Sequence, residues 1–167
     1  MPSIGISALQ FLRWREEIQS FDSLGLMRKA SVNLTGSGLP ETLGADNVSA
    51  GFFETLGVAP LRGHWFQRSD EKRGARDVAI ISARLWGQRF SADPQIVGRK
   101  IVLDGVRHEI VGVTRPDLHF SGGRQLHPVF DLSEQADIFL PLRFTVAEEQ
   151  GCWNIASGRK WEAKKPP

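Results

Sequence analysis

The chain has 167 residues, enough to bury a sizeable core in one domain or two small ones. Its 21 Lys and Arg against 19 Asp and Glu leave a net charge of +2, and acids and bases alternate, so no cationic face for nucleic acid is expected. The single Cys152 excludes an internal disulfide and a cysteine-based metal site, and no apolar run of about 18 residues is present to form a membrane-spanning helix.

Residues 7–20 read as an amphipathic helix with Ser7 as N-cap and Leu9, Phe11, Leu12 and Trp14 among its large residues. Residues 21–34 read as extended. The Thr-Gly-Ser-Gly run at 35–38 is a turn by composition, and 41–48 a return strand that makes a hairpin across it. Ser49 is read as the N-cap of a short helix over 50–57 that Gly57 stops. Residues 58–66 are an irregular apolar link through Pro60 and Gly63, and 67–77 a charged surface loop.

Residues 78–113 carry the clearest local signals. The run VAII at 78–81 suits a buried strand, and Ser82 is the expected N-cap of the helix ARLWGQRF at 83–90. Ala83, Trp86 and Phe90 share one face of it, and Asp93-Pro94 is expected to end it. Asp104-Gly105 fits a two-residue type I′ turn, which fixes Leu103 opposite Val106, Ile101 opposite His108 and Lys100 opposite Glu109, with an ion pair expected at the last. Ile101, Leu103, Val106 and Ile110 then form the core side of the hairpin. The core prediction for the unit is Trp86, Phe90, Ile101, Leu103 and Ile110. Residues 116–128 read as a loop, and ADIFLPL at 136–142 as a strand.

The residues that could carry chemistry are scattered. His119 and His127 share a loop with Asp117 and Asp131, which a metal-binding site or a small soluble hydrolase would use, although surface histidines account for the pattern as well. His64 and His108 have no helical partner at i+4, and His108 is read as a partly buried, hydrogen-bonded residue. Neither Ser121-Gly122-Gly123 nor the 35–38 turn has the lysine ending of a phosphate loop, and no nucleophile elbow is present. Trp65-Phe66, after a Pro/Gly-rich link, is read as a candidate partner-contact patch. The expectation is therefore no catalytic residue, no metal ligand and no cofactor.

The motifs NLTG at 33–36, VSAGFFETLGVAPLRGHWF at 48–66, VAIISARLWGQRF at 78–90, DPQIVGRKIVLDGVRHEIVGV at 93–113 and ADIFLPL at 136–142, with LQFLRWREEIQSFDSL at 9–24, occur in an order that resembles the MacB-like periplasmic core domain of ABC-transporter permeases of the MacB/FtsX type. The resemblance implies an α+β fold with mixed or antiparallel sheets and short helices in two small subdomains. It implies a domain over 1–145, whereas 146–167, with the basic stretch 159–165, does not resemble the family's continuation and is read as a flexible tail. It also implies that the chain is a fragment, short of a strand at its start and a strand–helix portion at its end. Such a domain is not an enzyme. It relays motion on the extracytoplasmic side of the membrane and contacts substrate, adaptor or partner proteins. Its partners are then the rest of the permease, the transmembrane helices that tether it, and a nucleotide-binding domain. A free-standing protein-binding module is the remaining alternative.

Overall fold

The computed structural model describes residues 7–17, 24–36, 39–116, 118, 136–146 and 148, together with the backbone of 153–154 and 159–160. Helix α1 (Ala8–Glu17) begins where Ser7 Oγ accepts the Gln10 N–H at 3.1 Å, so its first free amide has a partner. Strands β1 (Met27–Thr35) and β2 (Glu41–Val48) form the expected antiparallel hairpin, with Met27 opposite Val48 and Leu34 opposite Glu41. Helix α2 (Phe52–Thr55) is shorter than expected, and Ser49 does not cap it. The Ser49 hydroxyl instead accepts the Leu26 N–H at 2.9 Å, just before β1, leaving Gly51 at the N-cap without a side-chain bond. Gly57 stops the turn at φ +66°.

Strand β3 (Arg62–Gly63) interrupts the link read as irregular. Strand β4 (Val78–Ile81) leads through Ser82 into helix α3 (Ala83–Phe90), and Ser82 Oγ accepts the Leu85 N–H at 3.0 Å as expected. The helix stops earlier than Asp93-Pro94, because Ser91 turns left-handed at φ 50°. Strands β5 (Lys100–Leu103) and β6 (Val106–Val113) have the register read from the sequence, with both Asp104 and Gly105 at positive φ. Lys100 does lie opposite Glu109, but the Glu109 carboxylate is met by Arg76 Nη1 at 3.7 Å. Strand β7 (Ile138–Pro141) completes the main sheet. A separate ladder joins β8 (Trp153–Asn154) to β9 (Arg159–Lys160).

The sheet closes on itself. β6 pairs with β4 in parallel, β4 with β7 antiparallel, β7 with β2 in parallel, and β1 joins β2 to β5, which returns to β6. β3 takes the edge of β6 beyond β5. An irregularity where Ala79 faces Ile110 but Ile80 faces Gly112 shifts the phase of β6, so that both Ile110 and Val113 reach the same core.

That core gathers Leu34, Ala45, Ile81, Ile110 and Ile138 from the strands, with Leu85 and Phe90 of α3 and Ile96 packed on them. Phe90, Ile101, Leu103 and Ile110 are buried in it. Two sequence readings are corrected here. Trp86 packs against the cluster but is only partly buried, because its indole N–H must find an acceptor; it donates to Asp93 O at 2.9 Å, with the Arg62 guanidinium 5.8 Å above the ring. Val106 is 46% exposed, since the hairpin tip runs past the edge of the core. On the other side of β4, β6 and β7, Val78, Ile80, Val111 and Phe139 meet Val48, Phe53 and Phe66. Covered on both sides, β4 reads as a continuous apolar run rather than an alternating one. A third cluster joins Ala8 and Phe11 of α1 to Leu142 and Phe144 beyond β7.

Candidate functional site

The polar features of the fold gather where loops meet the segment after β7. Arg143 is the centre of the largest one. Its Nε donates to Asp70 O at 2.9 Å, Nη1 to Asp77 Oδ1 at 2.9 Å, and Nη2 to Arg76 O at 2.7 Å. The loop read as a charged surface segment is thus gripped by one guanidinium. Asp70, within it, is buried and accepts the Gln67 N–H at 2.9 Å. A fork of fixed donors suits this better than an ammonium would.

Five residues on, Glu148 does similar work. Its Oε2 accepts the Thr145 N–H at 2.8 Å and the Thr145 hydroxyl at 3.0 Å, while Oε1 accepts from Arg28 Nη1 at 2.9 Å. Partial burial alone would raise the Glu148 carboxyl, but the Thr145 bonds and the Arg28 charge outweigh it and hold it below the usual carboxylate range. The start of β1 is thereby tied to the chain beyond β7. Sequence reading missed this pair, although Thr145-x-x-Glu148 has the spacing of a capping box.

At the N-terminus of α3, Asp137 is buried and fully engaged. It accepts from the Ser82 hydroxyl at 2.8 Å and from Arg84 Nη2, and its own N–H donates to Gly44 O at 2.9 Å. A carboxylate there also faces the positive end of the helix. Beside it opens a cleft of about 330 Å³ lined by Ser82, Arg84, Thr114, Ala136 and Phe139. With its carboxylate bonded to two neighbours, the arrangement positions β4, α3 and β7 against one another. A second groove, of about 500 Å³, runs between α1 and the loop at 68–73.

Of the residues singled out from the sequence, the described ones do not converge on one site. Phe66 is 4% exposed and lies in the second core, and Trp65 is half-buried, stacked on Phe53 with centroids 4.1 Å apart. The Trp65 indole donates to Val58 O at 2.9 Å. The exposed pair read from the sequence is thus not found: the link folds back, Phe66 enters the core, and Trp65 lies half-buried against Phe53. His64 is exposed with Nδ1 2.8 Å from Trp65 O, and His108 is half-buried with Nδ1 3.0 Å from Val106 O. His119, His127, Asp117, Asp131 and Ser121-Gly122-Gly123 lie outside the described residues, as do the side chains of Cys152, Trp153 and Trp161. Among the described residues no cluster of His, Cys, Asp and Glu is placed to hold a metal ion, and no helix is long and apolar enough to cross a membrane.

The model of one protein family, the MacB-like periplasmic core domain, matches residues 8–159, past the boundary at 145 read from the sequence. Solved structures that share the fold include the following three. One is the extracellular domain of the noncanonic ABC-type transporter YknZ from Gram-positive bacteria, 14% identical, with TM-score 0.59 over 85% of this chain and 70% of that one. Another is the periplasmic region of MacB from Actinobacillus actinomycetemcomitans, 12% identical, with TM-score 0.51 over 84% of this chain and 68% of that one. The third is a domain of a Porphyromonas gingivalis protein described as a permease, 15% identical, with TM-score 0.58 over 98% of this chain and 65% of that one. No curated protein matches the chain.

Proposed function

The chain belongs to the family of MacB-like periplasmic core domains of ABC-transporter permeases, and from that premise we propose that it acts without chemistry of its own, as a stiff body that relays motion between the membrane part of the permease and proteins met outside it. An adaptor or other partner protein, the transported substrate, and the ATPase that drives the cycle are the components it would serve.

The observation that carries this reading is the two-sided burial of β4, β6 and β7 within a closed sheet. Sliding any of these strands would disrupt packing on both faces at once, so the sheet responds to a push as a unit. The Arg143 fork couples the loop at 70–77 to that unit at the end of β7. A displacement applied to the loop is therefore passed to the sheet.

The test is made in the parent permease assembled with its ATPase. Arg143→Gln is expected to leave basal ATP hydrolysis unchanged and to lower transport, because the loop no longer moves with the sheet. In the isolated chain, amide exchange of β4, β6 and β7 is expected to follow global unfolding alone. Full transport by the variant, or exchange of β4 by local opening, would overturn the relay.

A further inference from the structure

The groove between α1 and the loop at 68–73 combines two surfaces that seldom meet by accident. Its floor is apolar: Leu12 of α1 with Leu142 and Phe144, the latter set edge-on to Phe11 at 6.2 Å. Its rim is cationic, carrying Arg68, Lys72 and Arg73, all exposed, with Arg15 on the helix side.

One carboxylate, Glu71, lines the same groove, and it is already committed. Its Oε2 receives Arg15 Nη1 at 2.6 Å, and its Oε1 accepts the Ala50 N–H at 2.7 Å. Arg15 is therefore neutralised by Glu71, and the exposed Arg68 and Lys72 keep the rim positive. A smaller cavity continues past Arg15 and Arg68, where Glu54 is the acidic member.

We propose that this groove binds an anionic phospholipid, the rim holding the phosphate and the floor taking the apolar body below the headgroup. Guanidinium and ammonium donors together match phosphate oxygens, and an apolar floor under a polar rim is the usual make-up of a small-molecule site. A volume of about 500 Å³ accommodates a headgroup with the first part of its chains. A lipid is favoured over an acidic peptide because the family works beside a bilayer, where phosphate is the anion present at highest local density. The inference goes beyond the relay role and does not depend on it.

The probe is monomeric dihexanoyl phosphatidylglycerol, titrated into the full chain and followed by amide chemical shifts. Shifts are expected at Leu12, Arg15, Arg68–Arg73 and Phe144. Dihexanoyl phosphatidylcholine and chain-free glycerol phosphate are each expected to bind about tenfold more weakly, the first lacking net charge and the second the apolar body. Arg68→Glu with Lys72→Glu, both at exposed positions that leave the melting temperature unchanged, is expected to weaken binding by about tenfold or more. Neutralising Arg159, Lys160, Lys164 and Lys165 to Gln is expected to change it little. Equal binding of the zwitterionic lipid, indifference to the double charge reversal, or loss of binding on altering the 159–165 stretch instead would overturn the assignment. So would tighter binding at the same groove by the peptide Glu-Glu-Leu-Glu-Glu, which would make the occupant a protein segment. Because these readings need neither transport nor ATP hydrolysis, their failure is separable from that of the relay.

Discussion

Asp104 holds Asn33 by three bonds across the closing seam of the sheet. Its Oδ1 accepts both the Asn33 backbone N–H, at 3.0 Å, and the Asn33 amide Nδ2, at 2.9 Å, while its own N–H donates to Asn33 O at 3.0 Å. Asn33 Oδ1 in turn accepts from Thr42 Oγ1 at 2.7 Å. The residue that makes the β5–β6 turn is thus also the pin that joins that hairpin to the β1–β2 hairpin. The β1–β5 ladder itself is short, only Leu34 opposite Leu103 and Thr35 opposite Val102. Asp104→Gly keeps the turn, which requires positive φ, and removes the pin. It is expected to cost about 1 kcal/mol in chemical denaturation, with early amide exchange at β5. Wild-type stability and unchanged exchange would show that the seam closes on packing alone.

What could be read along the chain and what could not divide at this seam. The unit from β4 to β6 was legible because each of its signals is local: a serine before the helix, Asp-Gly between two apolar runs, alternation on either side. The partners of β2 and β4 were not. β2 lies parallel to β7, and β4 parallel to β6, through pairings that leave no mark on neighbouring residues. Local signals also misled where a side chain had two possible uses. Ser49 has the look of an N-cap, but its hydroxyl went to the nearest orphan amide, that of Leu26. Trp65-Phe66 follows a breaker-rich link, yet Phe53 is placed by α2 to receive the indole. Arg143 carried no signal at all, since its acceptors are mostly backbone carbonyls.

The Phe53 site yields the clearest packing prediction. Its ring has no exposed surface, stacks on Trp65 at 4.1 Å and meets Phe139 edge-on at 5.3 Å. Phe53→Ala leaves a cavity shared by β7, α2 and the link, and is expected to cost about 3–5 kcal/mol. Trp86→Phe, at the partly buried rim, loses one hydrogen bond and is expected to cost about 1 kcal/mol. Urea midpoints of the two variants check the order, and a reversed order would put the dominant core beneath α3.

Two glycines with similar backbones separate strain from contact. Gly63 and Gly74 both have positive φ, at +69° and +76°. A Cβ on Gly63 would lie 2.0 Å from Val111 O, whereas one on Gly74 meets nothing within 4 Å. Gly74→Ala is expected to cost about 1 kcal/mol from conformation alone. Gly63→Ala must also push β3 off β6, and is expected to cost more than the roughly 3 kcal/mol that strain alone can demand. Loss of amide protection at His64, which donates to Val111 O at 3.0 Å, is the accompanying signature. Equal melting temperatures for the two variants would mean that β3 contributes nothing to the fold.

Asp46 sets the pH dependence. It lies on β2 with 0% exposure, and neither carboxylate oxygen has a hydrogen-bond partner; the Lys29 ammonium, from the opposite residue of β1, stands 3.5 Å from Oδ1. Burial raises the carboxyl above its ordinary 3.8, and the attraction of Lys29 offsets only part of that. A carboxyl raised on folding binds its proton more tightly in the folded chain than in the unfolded one. Its contribution to stability is therefore fully present below the unfolded value and is lost as pH rises through the folded value. Ionising Asp46, buried and poorly bonded, therefore weighs against the fold. Asp46→Asn is accordingly expected to stabilise the chain at pH 7 by about 1 kcal/mol, the scale of relieving an unsatisfied buried group, and to lose that advantage as pH falls through the raised folded value towards the ordinary 3.8. Lys29→Met acts in the other sense, removing the charge that faces Asp46 across the ladder, and lowers stability at pH 7 while mattering little in acid. Thermal unfolding of the three proteins between pH 3 and pH 8 reads both effects. A destabilised Asp46→Asn at pH 7 would show that Lys29 more than compensates the burial, and that the carboxylate is held rather than tolerated.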